Sequence, residues 1–236
     1  MDKMYNAQST TSRRLLWALR GLALVVIALH LAASLFQEST AWGLWPMTYL
    51  PVFVRWLLAC AAALAALFGE ALWLRLGRVR SAWQAIRWSA PATRLVITLL
   101  AGAAFYLLRI RHVRWGDAKL LVKALDDPYR LTYVWQAPLD VFVHAKGYQL
   151  GSRRFGWSDP VPVYTLLSVL AGMLFVWVLL GLAMRLGRNR AERFLIAGLV
   201  LTLGTMQLFF GYIENYPIMT LGVLVYVSLA VRYLEG

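Results

Sequence analysis

The sequence predicts an all-α, polytopic membrane protein with about six transmembrane helices and interfacial helices in a long outer loop. Three observations predict it. Of 236 residues 61% are hydrophobic and only 15% charged, and the mean hydropathy is +0.61, outside the balance of a water-soluble domain. Apolar runs near the length of about 20 residues that a hydrocarbon core requires recur near 15–36, 50–74, 94–110, 162–184, 193–211 and 217–234. The cations fall in clusters between those runs. A net charge of +13 would otherwise suggest nucleic acid, but a nucleic-acid binder gathers its cations on one solvated face. The lipid bilayer is therefore the expected partner, and no nucleic acid is.

Each span is justified in turn. The first apolar run is longer than the core of a secretory signal and no small-residue cleavage site follows it in "LHLAASLFQES", so it reads as a retained helix. Cys60, the single cysteine, lies within the second run, which excludes an internal disulfide framework and a cysteine-based metal site. The third is short and flanked by Arg109. The fourth, fifth and sixth follow with brief connections.

Arginine placement orients these spans. Lys3, Arg13, Arg14 and Arg20 precede or open the first; Arg75, Arg78, Arg80, Arg87 and Arg94 join the second to the third; Arg185, Arg188, Arg190 and Arg193 join the fourth to the fifth. The positive-inside rule puts all three groups in the cytoplasm, with both chain ends. The connections "QESTAWGLWPMTY" and "GYIENY" lack Lys and Arg, as outer connections should. Residues 111–161 then lie outside although they hold eight Lys or Arg against five Asp; long loops obey the rule weakly. The organisation expected is two amino-terminal helices with basic cytoplasmic segments (1–93), then a module (94–236) with the outer loop 111–161 and an outer turn 212–216.

Two short helices are expected in that loop. "DAKLLVKALDD" sets Leu120, Leu121, Ala124 and Leu125 on one side, and Asp127-Pro128 stops it. "YVWQAPLDVFVHAKGYQLG" has Pro138 near its first turn, apolar Leu139, Val141, Phe142 and Val143, and Gly147 and Gly151 as candidate ends. Trp115, Tyr129, Tyr133, Trp135 and Trp157 suit the aromatic belt at headgroup depth.

Asp117 carries two readings. It caps the first interfacial helix, or it is a carboxylate at the water–lipid boundary able to act as general base toward a hydroxyl. Asp126 and Asp127 are adjacent and cannot point the same way on a helix; they suit a terminal turn, and a divalent cation held through oxygen ligands is their metal-binding reading. Arg111, Arg114 and Lys119 ordinarily contact lipid headgroups, and beside a carboxylate they suit a phosphate. His144 and His112 read as surface, packing or headgroup-contacting histidines. Glu214 and Asn215, in "QLFFGYIENYP", form a tight helix hairpin, or a rigid acid and amide that orient hydroxyl groups on the same side as Asp117.

The order of a span, "GDA", an interfacial helix, "YVWQAPLDVFVHAKGYQLG" and a span beginning "PVYTLLSVLAGMLFVWVLLGLAMRLG" resembles the opening module of bacterial integral-membrane glycosyltransferases of the GT-C superfamily, of the protein O-mannosyltransferase and aminoarabinose-transferase type. Asp117 matches the family's acidic residue after the module's first helix, and Pro138-Leu139 through Gly147 its Pro-Leu element. The chain departs in having Ala118 where some relatives carry a second acid, in lacking the preceding His-Pro, and in its small number of spans, which fits an amino-terminal portion of a longer enzyme. The resemblance implies an inverting transferase of the bacterial inner membrane. It would move sugar from a polyprenyl-phosphate-linked donor to an acceptor hydroxyl on the extracytoplasmic face, with Asp117 as base and the cations on the phosphate.

The rival from another class is a noncatalytic scaffold or transporter subunit. Transport wants polar or ionisable groups near mid-membrane, and these spans offer chiefly His30 and Gln207, with Arg55 and Glu70 near helix ends.

Overall fold

The computed structural model describes residues 2–36, 44, 47, 50–75, 90–110, 117–126 and 137–235. All regular structure among them is helical, in two compact units, Met1–Ile86 and Arg87–Gly236.

The first unit packs α1 (Asp2–Ala33) against α2 (Val52–Arg75). From Arg13 to Ala33 and from Val52 to Leu72 they are apolar enough to cross a membrane, and almost none of either segment is buried, as lipid-facing helices require. Two arginines tie the hairpin at separate levels. Arg20 reaches Glu70 at 3.4 Å and lies over the Trp17 ring. Arg55 donates through Nε to the Leu50 carbonyl at 2.7 Å and through Nη1 to the Ser34 carbonyl at 2.9 Å, satisfying backbone acceptors beyond the end of α1 and before α2.

The second unit comprises α3 (Pro91–Leu107), α4 (Ala118–Asp126), α5 (Pro138–Phe155), α6 (Val161–Leu186), α7 (Arg190–Leu201), a short 3-10 helix (Gly204–Phe209) and α8 (Tyr216–Leu234). Its hub is α6. At 26 residues this helix is about 39 Å long, and α3, α5, α7, the 3-10 helix and α8 all pack on it. Half of its most apolar window is buried, against 0–6% for the windows of α1, α2 and α8. The reason is visible in its small residues. Gly172 admits Phe105 of α3 and Phe209 of the 3-10 helix, and on α3 Gly102 admits Met173; small residues at such seams let helices gain dispersion contact that lipid would otherwise supply. Phe105, Val169, Phe175, Val176, Leu179, Met206 and Phe209 form the resulting core.

Among the described residues four helices, α1, α2, α6 and α8, are long and apolar enough to cross a membrane. The third expected span is α3, a shorter apolar helix of 17 residues. The fifth expected span, 193–211, is not one helix. It divides into the 12-residue α7 and the six-residue 3-10 helix, because the Thr202 hydroxyl bonds back to the Gly198 and Leu199 carbonyls at 3.0 Å and Gly204 follows. Asn189 accepts from the Glu192 N–H and fixes where α7 begins. Alone, α7 is about 18 Å long, well short of a hydrocarbon core of about 30 Å.

Candidate functional site

The amino-terminal end of α6 is surrounded by polar groups from four parts of the chain. A second apolar cluster, Ala118, Leu125, Ala145, Val163, Tyr164 and Ile213, gathers α4, α5, the start of α6 and the turn before α8 at this end. Ala118 is 0% exposed, so α4 cannot begin anywhere but against its neighbours. The Asp117 carbonyl accepts from the Leu121 N–H at 2.9 Å, opening the helix, and places Asp117 itself at the exposed edge.

The turn 210–215 is positioned from both sides. The Ile110 N–H, just beyond α3, donates to the Phe210 carbonyl at 2.8 Å. The Ser168 hydroxyl of α6 donates to the Leu208 carbonyl at 2.6 Å. Gly211 turns the chain with φ +68°, and a Cβ there would lie 3.1 Å from Cβ of Arg109 and 3.2 Å from Cγ2 of Thr165; conformation and crowding together call for glycine. Pro217 sits in the first turn of α8, where its missing N–H is no loss.

This turn brings Glu214 to Asp117. The Glu214 carboxylate accepts from the backbone N–H groups of Asp117 and Asn215 and lies within repulsive range of the Asp117 charge. Burial, first, and that repulsion, second, push the Glu214 pKa above the ordinary carboxyl value, with the two N–H groups opposing. Glu214 therefore holds its proton more readily than an exposed carboxyl. The Asn215 side-chain oxygen is buried without a hydrogen-bond partner.

Two groups that sequence reasoning did not select complete the site. Asp140 and His144 are 5% and 2% exposed and lie one turn apart on α5. His144 Nδ1 is 2.8 Å from the Asp140 carbonyl oxygen and 3.1 Å from Oδ2 of its carboxylate. The imidazole ring stacks on Tyr164 of α6, with centroids 4.1 Å apart and planes at 26°. Tyr164 in turn is within electrostatic reach of both Asp140 and Glu214. The one sequence signal was the Asp-x-x-x-His spacing at Pro138-Leu139-Asp140, which sets both residues on one helix face.

Of the other residues singled out in the sequence, Lys119 is exposed on α4 and Asp126 ends that helix. Arg111, Arg114 and Asp127 lie outside the described residues. Among the described residues no three His, Cys, Asp or Glu side chains are grouped to hold a metal ion.

No family model matches the chain, and comparison with curated proteins and with solved structures gives no match.

Proposed function

We propose that the chain is a glycosyltransferase module of GT-C type, moving a sugar from a polyprenyl-phosphate donor to an acceptor hydroxyl on the extracytoplasmic face of a bacterial inner membrane. In this reading the chain crosses the bilayer six times, with α3 and the broken segment formed by α7 and the 3-10 helix as the third and fifth crossings. Both ends are then cytoplasmic, as the arginine clusters favour. The observation that carries the reading is the meeting of Asp117 and Glu214, 97 positions apart in the chain, at one end of the hub helix.

The chemistry follows from that pair. Asp117, exposed and unencumbered by a second acid at position 118, takes the proton of the acceptor hydroxyl. The acceptor oxygen attacks the anomeric carbon from the face opposite the phosphate. The new carbon–oxygen bond forms as the old one breaks, and its electron pair leaves with the polyprenyl phosphate, so configuration inverts. Glu214, inclined to keep its proton, and the Asn215 amide orient hydroxyl groups. Arg111, Arg114 and Lys119 take the phosphate charge.

Asp117→Asn keeps size and capping ability but removes the base. Turnover with a defined polyprenyl-phosphate hexose should fall about 10²- to 10⁴-fold with membrane insertion unchanged. Turnover within twofold of wild type would reduce Asp117 to a helix cap and favour a noncatalytic scaffold.

A further inference from the structure

Helix α5 turns an acid and an imidazole, Asp140 and His144, inward beside Val141 and Ala145. Leu139, Phe142, Leu150 and Phe155 are 58–71% exposed, while the inward stripe begins with Asp140 and His144. Outward apolar groups suit a lipid surface; an inward carboxylate is another matter. Removing a carboxylate from water costs several kcal/mol unless hydrogen bonds replace those of the solvent, and a leucine at 140 would have packed without that penalty. Sequences break a local rule at such cost chiefly where function demands it.

The hydrogen bonds have not been replaced. Neither oxygen of the Asp140 carboxylate has a hydrogen-bond partner, although the side chain is 6% exposed. The His144 Nδ1 atom is at ion-pair distance from Oδ2, 3.1 Å, and nearer, at 2.8 Å, to the Asp140 carbonyl oxygen. A carboxylate has about four lone-pair sites, and those of Asp140 lie buried next to His144, whose ring stacks on Tyr164. Because Tyr164 also feels Glu214 and shares one apolar cluster with Ala118 and Ile213, this wall is continuous with the Asp117–Glu214 pair.

We propose that Asp140 is a ligand-binding carboxylate, the centre of a second subsite between α5 and α6 that accepts hydrogen bonds from the hydroxyl groups of a sugar-like ligand. His144 Nδ1 already lies 3.1 Å from one carboxylate oxygen, so neutral hydroxyl donors complete its shell. His144 is a positioning residue, holding the carboxylate and presenting its ring face to Tyr164. This inference deepens the glycosyltransferase reading and rests on it for the identity of the reaction.

The test uses the full chain in lipid nanodiscs and has two arms. In the first, Asp140→Asn should raise KM for an undecaprenyl-phosphate-linked hexose at least tenfold with kcat within threefold of wild type, the reverse of the pattern expected for Asp117→Asn. A folded Asp140→Asn with KM within twofold of wild type overturns the subsite. The second arm needs no turnover and leaves Asp140 in place. The chain has three histidines, so His30→Gln with His112→Gln leaves His144 as a single ¹⁵N-labelled reporter, 3.1 Å from the carboxylate. The undecaprenyl-phosphate hexose should move its ring resonances and sugar-free undecaprenyl phosphate should not. A resonance that stays fixed with both, or moves alike with both, overturns the proposal. A shift specific to the hexose in a chain that transfers nothing upholds the subsite and overturns the reaction.

Discussion

Gly172→Ala tests whether close approach at the hub helix holds the second unit together. A Cβ at Gly172 would lie 2.6 Å from Cβ of Phe209 and 2.8 and 2.9 Å from Cε2 and Cδ2 of Phe105. Reaching even a tight 3.4 Å contact requires Phe209 to retreat by about 0.8 Å. The Phe105 ring can tilt, but Cβ of Phe209 is fixed by its own backbone, so relief means moving the 3-10 helix. Phe209 is 0% exposed and Phe105 5%, leaving no open space to receive them. Overpacking of this kind costs about 1–3 kcal/mol, and a rigid neighbour argues for the upper end. The helical preference of alanine over glycine returns about 1 kcal/mol, so a net loss of about 2 kcal/mol is expected. For a chain of this size that lowers the melting temperature by about 4–8 °C. The assay is thermal unfolding in one detergent, with Gly222→Ala as control. Gly222, on α8, has nothing within 4 Å of a prospective Cβ, so the same substitution there should be neutral or raise the melting temperature by a few degrees. A Gly172→Ala protein that melts with or above wild type, while the control behaves as stated, refutes the packing argument.

Two further outcomes are expected. Because burial and Asp117 raise the Glu214 pKa, its protonated form is favoured by folding; that contribution is complete below the ordinary value of 4.5 and is lost as pH rises through the folded value. Glu214→Gln, which stays neutral, should therefore melt higher than wild type at pH 7.5 and converge with it below pH 4.5; a gap that does not depend on pH denies the linkage. Ser152→Cys, exposed on α5, in a Cys60→Ala background should react with an impermeant maleimide from outside the cell, and labelling from the cytoplasmic side alone would remove the outer site.

The sequence reading carried some parts of the molecule and failed at others for identifiable reasons. That the Glu214 turn and Asp117 belong to one region was legible, because a short turn leaves two helices little freedom to separate. The neighbours the sequence suggests for Glu214 are Arg111 or Arg114, and its approach to Asp117 was not legible. The break at 202–203 was not legible. Hydropathy averages side chains, and what divides that segment is a hydroxyl bonding to its own backbone. The inward turn of Asp140 on α5 was hidden for a different reason. In water an apolar stripe marks the inward face, whereas beside lipid both faces of a helix have a use for apolar groups, so Leu139 and Phe142 could not reveal which way Asp140 turned. Sequence alone therefore leaves His144 a surface or packing residue, although its i,i+4 relation to Asp140 sets the two on one helix face.

Arg94 has a consequence for how the chain is made. It stands in the first turn of α3, donates to the Trp177 carbonyl of α6 at 2.7 Å and lies 4.2 Å over the Trp177 ring, fitting against Gly181. Its partner is encoded 83 residues downstream. At about 5–20 residues per second, a ribosome takes roughly 4–17 s to deliver it. Until then Arg94 lacks the carbonyl and the ring that receive it in the folded unit, so α3 gains its seat only once α6, with a mean hydropathy of 2.5, has been made. Completion of the second unit is thus timed by its fourth helix rather than by its first.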